Sequence, residues 1–308
     1  MIEFEILTSG LYSPDQLIIN YNPSLHMLVN PAIQSWMDTL WQKKLAEARE
    51  KGVPLFDTNL FRLVECFDVG DRGQRATTRE AIAQTVRGTV SNVPSPPSTT
   101  PAPTEYGNLR DYAALHLVLG DTSYKEYVTT RVPEFFQGRD RQELSNALAV
   151  CSVIETSDRY ILLDKRQGVD VYVGRYHVIG GFFERGLEMM GQPDPFGAVR
   201  REIREETGIQ VDDIREQFCL GVVYDLSTPH GEMCFLTRLH ISLAEVQTRK
   251  AEDNEVKQLL SLAVTAESLR EFVLRYHGNI SPTGEANLLM YGAVEFGEQW
   301  FEEVMVGL

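Results

Sequence analysis

The chain has 308 residues, 43% hydrophobic and 24% charged, with 29 basic and 44 acidic side chains and a formal net charge of −15. This composition excludes a collagen-like rod, a disordered tail and a small disulfide scaffold, and the length predicts one large or two ordinary domains. An acidic surface argues against nucleic acid and anionic membranes as partners, and it calls for a cation between the protein and any anionic substrate.

The opening MIEFEILTSG has no basic segment and no long apolar core, so it does not read as a signal peptide. No run approaches the ~20 apolar residues of a membrane span. The first strong element is a helix from Pro31 to Lys51, with Asn30 as cap and Gly52 as stop. Ile33, Trp36, Met37 and Leu40 recur at helical spacing. The later half of residues 55–67 reads as a strand. Residues 70–107 read as a surface insertion, and 91–104 within it carry five prolines. A strand follows from about residue 112. Asp121 or Thr122 then caps a helix or turn, and 133–143 reads as loop.

From Leu144 the pattern turns to β. NALAVCSVIE and RYILLDKR flank the turn TSD and form a hairpin. VDVYVG and RYHVIGG read as short β segments. A helix is predicted over 195–207. CLGVVYDL, MCFLTRLHI and KQLLSLAV read as strands, ESLREFVLRYHG as an amphipathic helix closed by Gly278, and 285–304 as a last helix. The prediction is an α/β fold, an α/β/α sandwich around a mixed sheet, with an α+β extension over 1–143 and the main domain over 144–308. Cys66, Cys151, Cys219 and Cys234 are scattered and read as free thiols of a reducing cytoplasm.

The informative stretch is residues 180–209, GGFFERGLEMMGQPDPFGAVRREIREETGI. Asp194 and Pro195 start its helix, and Gly208 stops it. Phe196, Val199, Ile203 and Thr207 fall within roughly 80° of arc. Glu202, Glu205 and Glu206 share a neighbouring arc of roughly 100°, so their carboxylates are predicted to converge. Like charges so spaced cost about 0.2–0.5 kcal/mol each, which a hard divalent cation among the oxygens would offset.

This stretch resembles the signature of the Nudix hydrolases, G-x5-E-x7-R-E-U-x-E-E-x-G-U, where U is bulky and aliphatic. Gly181, Arg201, Glu202, Ile203, Glu205, Glu206, Gly208 and Ile209 match it. The middle departs from the pattern. Family Gly and Arg lie fourteen apart, whereas here the separation is 201 − 181, or twenty, so six residues are inserted. The first family glutamate falls to Glu184 or Glu188. The phrases LFDTNLFRL (55–63), LHLVLGDTSYKEYV (115–128) and LGVVYDL (220–226) further resemble the UDP-sugar diphosphatase branch.

The resemblance implies Mg²⁺-dependent hydrolysis, with Mn²⁺ as the alternative ion. The implied substrate is a nucleoside diphosphate sugar, UDP-glucose or UDP-galactose, giving UMP and a sugar 1-phosphate. ADP-ribose or another nucleoside diphosphate derivative is the alternative substrate, and an inactive Nudix-fold binding module is the second alternative. The resemblance makes Glu202, Glu206 and the Gly180 carbonyl metal ligands. Glu205 is then a third ligand or orients a metal-bound water, and Arg201 braces a glutamate. Glu255 is the first candidate for the base, with Glu252 and Asp253 beside it. Arg62, Tyr124, Lys165 and Arg166 are candidates for substrate contact. His177 reads as a packed histidine, and Asp225 and His230 receive no role. A monomer or homodimer is expected.

Overall fold

Apart from VDVYVG, the strands read between Leu144 and Val264 join one sheet. The computed structural model describes residues 1–52, 54–69, 114–167, 171–187, 191–252 and 259–308. The insertion at 70–107 with its Pro-rich segment, Glu188, Asp253 and Glu255 lie outside the described residues. The large sheet runs in the order β1 (Phe4–Tyr12), β9 (Ile214–Asp225), β10 (His230–Leu239), β5 (Leu148–Glu155), β6 (Tyr160–Lys165) and β11 (Leu259–Ala263). β7 (Tyr176–His177) pairs with β6, and β8 (Ile179–Phe182) pairs with β5. β10 runs parallel to β5 and the other pairs are antiparallel, so the sheet is mixed.

A smaller sheet has the order β2 (Leu17–Tyr21), β4 (Ala114–Ser123) and β3 (Asn59–Val69). The helices are α1 (Pro31–Lys51), α2 (Tyr124–Thr130), α3 (Pro133–Phe136), α4 (Pro195–Thr207), α5 (Leu243–Val246), α6 (Ala266–Tyr276), α7 (Pro282–Phe296) and α8 (Glu298–Gly307).

Side chains alternate across each strand, and this divides the core in two. Val150 of β5 and Phe235 of β10 pack with Val199 and Ile203 of α4 and with Phe61 and Leu117 of the small sheet. Their neighbours Cys151 and Leu236 point the other way, to Leu269 of α6, Leu288 of α7 and Val304 of α8. The large sheet is therefore covered by helices on both sides, the α/β/α arrangement read from the sequence.

Several expectations change. β1 crosses the boundary drawn at residue 143: it belongs to the large sheet, with Phe4 opposite Asp225. The cap of α2 is Ser123, whose side chain accepts from the Glu126 amide, while Thr122 donates to the Glu126 carboxylate. The 133–143 loop contains α3 and a short 3-10 turn at Arg141–Glu143. Residues 171–174 of VDVYVG form bends and a turn rather than a strand. The last helix is two helices, because Gly297 takes φ 93° and breaks the path.

Candidate active site

α4 forms as its sequence dictates. The Asp194 side chain accepts from the Gly197 amide at 2.9 Å, and Pro195 occupies the first turn. Its apolar stripe buries Phe196, Val199 and Ile203. The next face carries Glu202 and Glu206, which are only 9% and 8% exposed.

β8 brings the glycine pair to that face. A Cβ on Gly181 would sit 2.5 Å from Glu202 Oε1, so the carboxylate lies against bare backbone. Only glycine permits this approach. The Arg201 guanidinium ties the elements together. One nitrogen pairs with Glu202 Oε1 at 2.9 Å and donates to the Phe182 carbonyl at 3.3 Å, and the other donates to Glu205 Oε2 at 2.9 Å. Arg204 reaches the second Glu205 oxygen at 3.2 Å. The three carboxylates therefore do not converge as one group. Two arginines draw Glu205 aside, because a guanidinium fork matches a carboxylate. Among the described residues, no three His, Cys, Asp or Glu side chains are grouped to hold an ion by themselves. A hard cation such as Mg²⁺ needs only one or two carboxylates, with waters and phosphate oxygens completing its shell.

The late loop approaches the same helix. The Glu252 amide donates to the Glu205 carbonyl at 2.8 Å, and Arg204 pairs with the Glu252 carboxylate at 3.2 Å. This anchors the chain just before residues 253–258 beside Glu205.

The substrate candidates separate. Tyr124 lies edge-on to Phe182 at 5.7 Å between ring centres, beside the end of the glycine-bearing strand. Arg62 is a correction. It is 5% exposed, and its Nη2 donates to the carbonyls of Gln142 and Leu144 at 2.8 and 3.2 Å. It braces a loop where phosphate contact was expected, because a buried guanidinium must spend its donors on nearby carbonyls. Lys165 lies 5.6 Å from the Tyr176 ring centre, and Arg166 donates to the Val171 carbonyl at 3.3 Å. Their contacts are around β7, not α4.

His177 is packed. It is 5% exposed, with Nδ1 2.5 Å from Ser281 Oγ. Burial and the nearby Arg166 charge push its pKa down to about 3. Glu232, which the sequence reading passed over, lies 3.8 Å from His177 Nε2 and 3.5 Å from His230 Nε2. Burial would raise the Glu232 carboxyl, but the two histidines outweigh it and hold it at about 2. Burial would lower His230, but Tyr127, Glu232 and Asp225 hold it at about 10. Asp225 accepts from the Tyr172 hydroxyl at 2.9 and 2.7 Å. The only hint in the sequence was H-x-E on a strand, which places both side chains on one face.

Residues 145–277 match the family model described as NUDIX domain. This stretch resembles a NUDIX domain. It runs from the start of β5 to the end of α6 and includes both the glycine pair and α4. A search of curated proteins gave no match. Among solved structures, the chain is similar to the NUDIX domain of Shewanella oneidensis NrtR complexed with ADP ribose: 17% identity over 57% of this chain and 99% of that one, TM-score 0.35. It is similar to the MutT protein from Methanosarcina mazei at 19% identity, over 49% and 95% of the two chains, TM-score 0.33. A bifunctional NMN adenylyltransferase/ADP ribose pyrophosphatase from Francisella tularensis, complexed with AMP and a Mn ion, aligns at 14% identity over 49% of this chain, TM-score 0.34. The alignment covers 41% of that longer protein. Among the described residues, no helix is long and apolar enough to cross a membrane.

Proposed function

We propose that this chain hydrolyses the pyrophosphate bond of a nucleoside diphosphate derivative, with UDP-glucose or UDP-galactose as first substrate and UMP and the sugar 1-phosphate as products. ADP-ribose is the second reading, because one such site serves many leaving groups. The observation that carries the proposal is the Glu202 carboxylate seated against Gly181, one helical turn from Glu206.

The donor set fits a divalent cation. Two carboxylates and a backbone carbonyl are hard oxygen ligands, and the bare glycine backbone leaves a cradle that a Cβ would fill. Glu202, Glu206 and the Gly180 carbonyl would hold the ion, Mg²⁺ or Mn²⁺. When bound, it neutralises the diphosphate and lowers the pKa of a bound water. The chain itself then does three things. Arg201 keeps Glu202 and Glu205 in place and balances their charge. Glu205, whose backbone holds the late loop, orients the attacking water, and Glu255 in that loop accepts its proton. The water oxygen bonds to one phosphorus as the bridging P–O bond breaks. The Tyr124 ring, beside Phe182, offers a surface to base or ribose. Lys165 and Arg166 remain the proposed contacts for a distal phosphate.

In this reading the extension up to residue 143, apart from β1, shapes the substrate side. The free thiols, three of them buried, support a reducing compartment such as the cytoplasm.

The test is a panel of UDP-glucose, UDP-galactose and ADP-ribose with Mg²⁺ and with Mn²⁺, products separated by anion exchange. UMP and glucose 1-phosphate are expected. A preference for ADP-ribose selects the second reading. No cleavage of any member with either ion would leave only a binding module.

A further inference from the structure

The loop after the glycine pair is gripped by all three strands of the small sheet. From β3, the Phe61 amide donates to the Phe183 carbonyl at 3.1 Å, and the Asn59 carbonyl accepts from the Arg185 amide at 3.0 Å. The Leu60 carbonyl accepts from Arg185 Nε at 3.0 Å. From β4, Asp121 Oδ2 pairs with Arg185 Nη1 at 2.9 Å. From β2, the Tyr21 hydroxyl donates to Asp121 Oδ1 at 2.6 Å. Leu60 and Glu184 also form an antiparallel bridge.

The other end of this loop touches the carboxylate helix. The Phe182 carbonyl accepts from Arg201, and Arg201 holds Glu202 and Glu205. A continuous chain of bonds thus runs from Tyr21 to the glutamates. The Asp121–Arg185 pair is about three-quarters buried on each side, so it is shielded better than an exposed ion pair. Asp121 is committed to two partners at once, and its two oxygens face different elements. That is the geometry of a brace and not of a casual surface pair.

We propose that Tyr21 and Asp121 are positioning residues for hydrolysis. Through Arg185 they fix residues 182–185, and so the distance from the Gly180–Gly181 backbone to Glu202 and Glu206. This rests on the Nudix reading of that site. The small sheet is on this account a working part of the catalytic apparatus, acting without touching substrate. Small misplacements in such a site are costly, since a shift of about 1 Å can lose 10²-fold in rate.

The experiment uses the full chain with Mg²⁺ and both UDP-glucose and ADP-ribose. D121N, Y21F, D121R, R185D and the double variant D121R/R185D are compared for kcat, KM and melting temperature. D121N is expected to lower kcat about tenfold with KM nearly unchanged, and Y21F to lower it about threefold. The exchanged pair is expected to recover most of the kcat that each single reversal loses. Values of kcat within twofold of wild type for both D121N and Y21F would overturn the proposal. So would a folded D121R/R185D no faster than either single variant. D121N and Y21F decide the matter if a reversal does not fold. E206Q measured alongside separates the two claims. If E206Q is slow and D121N is not, only the brace fails. If E206Q keeps wild-type rate, the carboxylate reading itself fails.

Discussion

Carboxylates lie on both faces of the large sheet, and they are treated differently. On the α4 side, Glu202 and Glu205 are matched by Arg201, whose other bonds reach backbone. On the α7 side, Glu232 is enclosed between two histidines and also interacts with Thr283. The first arrangement leaves carboxylates beside bare glycine backbone. The second satisfies its charge completely from within. Acid held by a movable guanidinium at the edge of a helix is available to a ligand, while acid sealed among partners fixes the fold.

The comparison can be broken most sharply by removing one acid from each side. E206Q should lose roughly 10²–10⁴-fold in kcat while its urea midpoint stays near wild type. E232Q should do the reverse: about 3 kcal/mol of stability lost in urea unfolding, because His230 loses its counter-charge, with turnover retained in the folded fraction. Equal stability losses in the two variants would erase the distinction drawn here.

Titration sharpens it further. His230 is held up at about 10, so its contribution is full below its ordinary 6.5 and is lost as pH rises through 10. His177 is driven to about 3, so the unfolded chain gains a proton first and stability falls as pH drops from 6.5 toward 3. Glu232 at about 2 adds stability that is present above 4.5 and lost as pH falls through 2. The melting temperature should therefore decline on both sides of neutrality. H230Q should flatten the alkaline side alone, and an unchanged alkaline slope would reject this account. The smallest effect concerns Glu205, already bonded by two arginines. E205Q should cost about tenfold in kcat, less than E206Q, and parity between them would make Glu205 a full ligand.

Much of this was legible from local pattern. α4 carries its cap, its proline, its stripe and its stop within fifteen residues, and α1 likewise announces both ends. The strands β5, β6, β9 and β10 followed from alternation and turn residues. What failed depended on distant partners. β1 and β2 find their partners far along the chain, in β9 and β4. Arg62 looked like an exposed cation because nothing nearby in sequence reveals the carbonyls of residues 142 and 144. The shared arc of Glu202, Glu205 and Glu206 follows from helix geometry, but the arc says nothing of which arginine claims which oxygen, and two arginines draw Glu205 aside. The Arg185–Asp121–Tyr21 chain joins three separate segments, so no single window of sequence contains it.

The pairing of Phe4 with Asp225 has a consequence for how the molecule is made. The first strand leaves the ribosome long before the strand it must lie beside exists. At about 5–20 residues per second, that wait lasts on the order of ten seconds or more. During it, an apolar ribbon is exposed without its mate, and closing so long a loop is slow in itself. Nascent chains of this protein should therefore depend on chaperones more than their modest size suggests.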